Sequence, residues 1–203
     1  MNIKKVIWAL MGVGLTGLLI PSAARAGTIK GTVSVQGIKS AENIAVYVDA
    51  IAGKKFDAPS EHLVVNQEKM AFSPRVVVIL QGTTVDFMNN DPVPHNVYWP
   101  SISGNKKLTQ NLGTWPKGQS KSYQFNDPGV APLLCNVHPD MSGYMVIVST
   151  PYFVVTDKSG NYEIKDVPAG QYTLKTWSED GKPTTQSITV GEEAATANIV
   201  VKK

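Results

Sequence analysis

The stretch Leu133-Leu134-Cys135-Asn136-Val137-His138-Pro139-Asp140-Met141-Ser142-Gly143 places a thiol, an imidazole and a thioether at the spacing C-x-x-H-x-x-M. Ala131–Cys135 reads as a strand entering this segment, and Tyr144–Ser149 as a strand leaving it. Residues 136–141 therefore read as a short loop that turns back toward the end of the first strand. Soft sulfur donors combined with imidazole suit copper, and a one-electron copper centre uses two histidines and one cysteine with a weak axial methionine. Such a set needs a second histidine from elsewhere. Asn89-Asn90-Asp91-Pro92-Val93-Pro94-His95-Asn96-Val97 offers it: the polar, Pro-rich approach makes a turn, and His95 opens the next strand.

Taken singly, each residue has a plainer role. Cys135 alone would be a small buried hydrophobe, His95 a turn residue, His138 a surface loop residue and Met141 core filler. Their shared setting argues for one metal site built from His95, Cys135, His138 and Met141. Met70, Met88 and Met145 have no such setting and read as core; His62 falls outside every motif.

The region around these motifs resembles the cupredoxins, the small blue copper proteins, with the compact ligand loop of the amicyanin type. Phe72-Ser73-Pro74, Val76-Val77-Val78 and Gly82-Thr83-Thr84-Val85-Asp86-Phe87 are similar to that family's early strands. Phe125 and Asp127-Pro128-Gly129 are similar to its approach to the cysteine strand. The resemblance implies a Greek-key β-sandwich holding one type 1 copper ion. It further implies that Asn96 ties the two ligand loops together and that His138 reaches the surface as the electron port. Pro94, Pro139 and Val93 would then form a small docking patch beside it.

Outward from the motif, the whole chain reads as all-β. No long stretch keeps a helical period, and thirteen short apolar or alternating runs lie between Gly, Pro, Asn and Asp residues. They are Thr28–Val35, Ile44–Ile51, Arg75–Leu80, Thr83–Met88, Asn96–Trp99, Lys121–Phe125, Ala131–Cys135, Tyr144–Ser149, Tyr152–Thr156, Tyr162–Lys165, Gln171–Trp177, Gln186–Val190 and Thr196–Val201. So many strands suit two sandwiches better than one. The run Thr156–Leu174, with turns at Asp157–Gly160 and Pro168–Gly170, resembles the transthyretin-like domains related to carboxypeptidase regulatory domains. Their usual preceding strand pair has a counterpart far upstream, in Thr28–Val35 and Ile44–Ala50. The expected organisation is residues 27–58 and 151–203 as a transthyretin-like sandwich and residues 59–150 as a cupredoxin unit inserted into it. Two sandwiches in series are the alternative.

Residues 1–26 read as a signal peptide. Lys4 and Lys5 precede the apolar run Val6–Ile20, and Ala24-Arg25-Ala26 is a cleavage signal. Cleavage before Gly27 would remove three of the 19 basic residues and none of the 16 acidic ones, taking the formal charge from +3 to zero. A neutral mature chain argues against nucleic acid as a partner. No membrane span is expected after cleavage, and a periplasmic or otherwise exported location follows. The single cysteine excludes an intrachain disulfide framework, Cys-rich zinc sites and C-x-x-C redox chemistry. Three histidines leave no room for an oxidase with several metal centres.

Four protein ligands would fill the copper shell and leave no open position for substrate. The expected role is therefore outer-sphere electron transfer between redox proteins that dock near His138, not catalysis. The sequence is compatible with a monomer. Two other readings use the same residues differently: a copper carrier or buffer of the cell envelope, and a non-redox envelope scaffold. Ser142 and Ser149 lack a matching His and acid, and H-E-x-x-H is absent, which counts against hydrolytic enzymes.

Overall fold

The computed structural model describes residues 26–203; the reading of a signal peptide concerns residues that, apart from Ala26, lie outside the described ones. The described chain is almost wholly β. Its strands are β1 (Ala26–Val35), β2 (Ala45–Val48), β3 (Leu63–Glu68), β4 (Ala71–Ser73), β5 (Val76–Leu80), β6 (Thr84–Asn89), β7 (His95–Trp99), β8 (Gln110–Trp115) and β9 (Ser120–Gln124). They continue as β10 (Gly129–Leu134), β11 (Ser142–Val148), β12 (Phe153–Val155), β13 (Asn161–Pro168), β14 (Gly170–Ser178), β15 (Gly181–Val190), β16 (Ala195–Thr196) and β17 (Ile199–Val201). One 3-10 turn, Lys106–Leu108, is the only helical element among the described residues. No helix there is long and apolar enough to cross a membrane.

Four sheets form. Sheets β4-β3-β6-β9 and β5-β11-β10-β7-β8 enclose one core, which includes Phe72, Phe87, Trp99, Trp115, Phe125 and Leu133. Strand β1, paired with β13, β16 and β17, faces sheet β12-β2-β14-β15 across a second core that includes Ile29, Ile44, Ile164 and Leu174. Within the described residues, β3 to β11 pair only among themselves, while β1 and β2 pair with strands from the C-terminal part.

A third apolar layer joins the two sandwiches. Strand periodicity of two sends alternate side chains to opposite faces. On β5, Val77 and Ile79 enter the first core, while Val76 and Val78 enter the third layer. On β11, Met145 and Ile147 point inward, and Val146 and Val148 point to that layer. On β2, Val46 and Val48 serve the second core, and Ala45 and Tyr47 the third layer. Burial on both faces explains why Val76–Leu80 is continuously apolar instead of alternating.

Thirteen expected runs correspond to observed elements, with shifted ends. Two strands were not expected, β3 and β8; β4 is absent from the thirteen runs, although the family resemblance pointed to Phe72-Ser73-Pro74 as part of an early strand. The expected single strand Thr196–Val201 is broken in two, because the Asn198 side chain accepts from the Thr32 amide at 3.0 Å and interrupts the ladder. Met70 is corrected from core to surface: it is 54% exposed, in a tight turn where Lys69 and Met70 both take positive φ. Met145 is fully buried, as a core residue should be.

Candidate metal centre

His95 is the first residue of β7 and pairs with Trp115 on β8. Cys135 directly follows β10, and Met141 directly precedes β11; these two strands form one antiparallel hairpin. The hairpin is closed by residues 135–141, where the Met141 amide donates to the His138 carbonyl at 3.0 Å. The strand pairing therefore brings both ends of the C-x-x-H-x-x-M segment to one end of the hairpin. Cys135 and Met141 share the same apolar cluster and are 3% and 1% exposed.

The ligand atoms of His95, Cys135 and His138 lie within 4.8 Å of one another. His95 Nδ1 and His138 Nδ1 are 3.0 Å apart, and Cys135 Sγ is 3.9 Å from His138 Nδ1. Metal–imidazole bonds of about 2.0–2.1 Å and metal–thiolate bonds of about 2.3 Å sum to more than these separations. The three donors thus form a cluster of the size that one ion occupies, and the donor set fits a soft or borderline transition metal. His62 is not part of this cluster: its Nδ1 sits 3.0 Å from Asp86 at an exposed position. Ser122 also donates to Asp86, so its hydroxyl has the carboxylate and not the imidazole as partner, and no nucleophilic triad results.

Asp91 is the residue that sequence reasoning passed over. Its Oδ2 lies 2.8 Å from His95 Nε2, and its carboxylate also accepts from the Lys69 amide at 2.7 Å and the Met70 amide at 2.8 Å. Burial pushes the Asp91 carboxyl up. The hydrogen bonds from Met70, His95 and Lys69 outweigh it and hold the group below its ordinary range. An ionised carboxylate only accepts, so His95 must carry its proton on Nε2. The Nδ1 lone pair is then free to face Cys135 and His138. An acid four residues before His95 was the available signal in the sequence.

Asn96 links the two loops. Its amide donates to Cys135 Sγ at 3.4 Å, its Oδ1 accepts from the Asn136 amide at 3.2 Å, and its Nδ2 donates to Asn111 Oδ1 and the Gly113 carbonyl, both at 2.8 Å. Asn89 braces the approach to His95: Nδ2 donates to the carbonyls of Val93 at 2.9 Å and Trp115 at 3.0 Å, and Oδ1 accepts from the Asp91 amide at 2.9 Å. His138 is part-buried, whereas Val93, Pro94, Val137 and Pro139 are exposed in the same two loops.

Residues 60–149 match the sequence profile of the copper binding proteins of the plastocyanin/azurin family. Residues 142–198 match that of polysaccharide lyase family 4, domain II. Amicyanin-alpha of Methylorubrum extorquens is 33% identical over 91 residues, which cover 45% of this chain and 76% of the relative. Amicyanin of Paracoccus versutus is 33% identical over 92 residues, covering 45% and 68%. A structure of a reduced amicyanin variant aligns with 50% of this chain and 97% of its own, at 23% identity and a TM-score of 0.40. With a third of positions shared across most of each relative's length, the chain belongs to the plastocyanin/azurin family of copper-binding proteins.

Proposed function

We propose that this protein carries single electrons between redox partners on one type 1 copper ion held by His95, Cys135, His138 and Met141. The observation that carries the reading is the convergence of the His95, Cys135 and His138 donors within 4.8 Å, drawn from two loops far apart in sequence. Bound copper would supply a one-electron couple whose potential the surrounding protein tunes. Cys135 would hold it as thiolate, with the Asn96 amide donating to the sulfur and drawing off part of its charge. His95 is fixed in one tautomer by Asp91. Two sheets and a packed core limit movement of the donors, so little rearrangement would accompany a change of oxidation state. His138 is part-buried, and the exposed Val93, Pro94, Val137 and Pro139 of the two ligand loops would supply a small apolar rim suited to the weak encounters of electron carriers.

Two further features belong to this reading. The organisation is taken as a copper unit, residues 59–150, inserted into a transthyretin-like sandwich. Pairing of β1 and β2 with β12 to β17 supports it, as does the self-contained pairing of β3 to β11. Export is supported by the basic start, apolar run and Ala24-Arg25-Ala26 of residues 1–26.

The test is the visible spectrum of the mature protein loaded with Cu(II). An intense blue or green colour that bleaches on reduction is expected. Colourless, readily exchanged copper would overturn the electron-carrier reading in favour of a copper carrier.

A further inference from the structure

The outer face of β5 and β11 is closed off by the second sandwich. Val76, Val78, Val146 and Val148 are 6% exposed or less, packed with Ala45, Tyr47, Phe153 and Trp177. An independent copper unit would present that face to water and would show alternating polar residues there. The second sandwich is thus a fixed cover, and its edge reaches the ligand loop.

The contact is made by Glu179, in the turn between β14 and β15. Its carboxylate accepts from Arg75 Nη2 at 2.8 and 2.9 Å, from Arg75 Nε at 3.3 Å and from the Tyr144 hydroxyl at 2.8 Å. Arg75 Nη1 donates onward to the Ser142 carbonyl at 3.2 Å, and the Arg75 carbonyl accepts from the Tyr144 amide at 2.8 Å. The Tyr144 ring packs on Trp177 with centroids 4.8 Å apart. Between Ser142 and Tyr144, a Cβ on Gly143 would stand 2.9 Å from the Arg75 carbonyl oxygen and 3.1 Å from Phe72 Cβ, so the strand is pressed against this corner. Ser142, Gly143 and Tyr144 are the three residues that follow Met141.

We infer that Arg75 and Glu179 are positioning residues through which the second sandwich holds the exit of the ligand loop and so sets where Met141 sits. This inference rests on the reading of Met141 as a copper ligand. The pair is exposed, at 43% and 39%, so its hold comes from its bidentate geometry and the added Tyr144 hydroxyl bond, which a single-point ion pair lacks.

Amide hydrogen exchange on the metal-free full chain tests the hold, and the copper spectrum tests its target. Glu179→Ala should accelerate exchange across residues 141–145 by roughly three- to tenfold, the range expected when such bonds are lost. Glu163→Ala, which removes an exposed pair with Lys165 on β13, should leave those amides unchanged. If Glu179→Ala loosens the entire fold, Tyr144→Phe decides, since it removes one hydroxyl bond only; it should give a smaller acceleration at the same residues. Unchanged exchange at 141–145 in the folded variant overturns the inference. In the copper-loaded protein, Glu179→Ala should change the visible band ratio and the reduction potential while one copper is retained. An unaltered spectrum together with faster exchange would show that the pair orders β11 without setting Met141, and would overturn the positioning claim. If the unaltered protein shows no colour, the copper reading fails, and the exchange result still decides whether the second sandwich holds the loop.

Discussion

The two sandwiches are similar in architecture and different in what they bury. The core between β1 and the β12-β2-β14-β15 sheet is apolar, and its buried polar neighbours are hydroxyls: Thr150, Thr156, Thr176 and Ser178. These serve nearby backbone, as where Thr150 donates to the Val48 carbonyl at 2.7 Å and Thr176 accepts from the Thr184 amide at 3.3 Å. The copper-binding sandwich buries one such hydroxyl, Thr83, and beside it Gln67, Asn89, Asp91, His95 and Asn96. Asp91 bonds the His95 ring, the Asn96 amide donates to the Cys135 sulfur, Asn89 braces the Asp91 amide and Gln67 donates to the Asn96 carbonyl. Hydroxyls that each satisfy one or two backbone groups add stability to a fold. Amide and carboxylate side chains that each bond several partners at once specify the placement of atoms.

That contrast can be broken most sharply at Cys135. Cys135→Ser should abolish the visible band of the copper-loaded protein completely while leaving the thermal unfolding of the metal-free chain within a few degrees of the parent; absorption and circular dichroism together check it. Next in size are core truncations. Leu174→Ala in the second core and Leu133→Ala in the first, both 0% exposed, should each cost about 2–5 kcal/mol in metal-free protein, measured by denaturant unfolding. Because the third apolar layer joins the two bodies, each truncation should shift one common transition. Two separate transitions would show that the layer does not couple them.

A finer probe is Asp91→Asn. It removes the acceptor that keeps the proton on His95 Nε2, and it should weaken copper binding about 10- to 100-fold in a competition titration. The Cys135 thiolate remains, so the colour at saturating copper should persist. The smallest effect concerns Tyr162, in the second sandwich. Burial raises its phenol to about 12, and its hydroxyl donates to the Ala197 carbonyl at 2.7 Å. A raised folded value means that the protonated phenol contributes fully below the unfolded value, near 10, and that this contribution is lost as pH rises toward 12. Unfolding of the second sandwich should therefore become easier over that window. Tyr162→Phe should flatten this part of the pH dependence, as followed by thermal melts.

Much of this was legible along the chain, for physical reasons that differ by element. Strands such as Val76–Leu80 and Tyr144–Ser149 announce themselves because β-branched and apolar residues cluster where both faces are buried. Strand β8, Gln110–Trp115, was missed because it is a mostly exposed edge whose burial falls on Trp115 at its end. Strand β3, Leu63–Glu68, was missed because one of its three inward residues is Gln67, which spoils the apolar alternation. Strand β4, with three residues, is too short to show any period. At the site, Cys135, His138 and Met141 were readable because they are close in sequence. Asp91 was not, because an acid in a polar turn is ordinarily solvated.

The choice of metal chemistry was settled by the sequence alone, since softness and charge belong to the atoms of Cys, His and Met wherever the chain carries them. The exclusions were settled there too: a single thiol cannot make a disulfide in one chain, and three histidines cannot furnish several copper centres. Tertiary structure decided the rest. Only the register of β7 against β8 and β10 brings His95 to a histidine 43 residues away. Only the turn at Lys69 and Met70 gives Asp91 the amides that keep it ionised beside that ring. The second sandwich could lie over β5 and β11 only once their outer faces existed as a surface. Donor identity is a local property of composition, whereas convergence, tautomer and cover depend on strand pairings that no short segment contains.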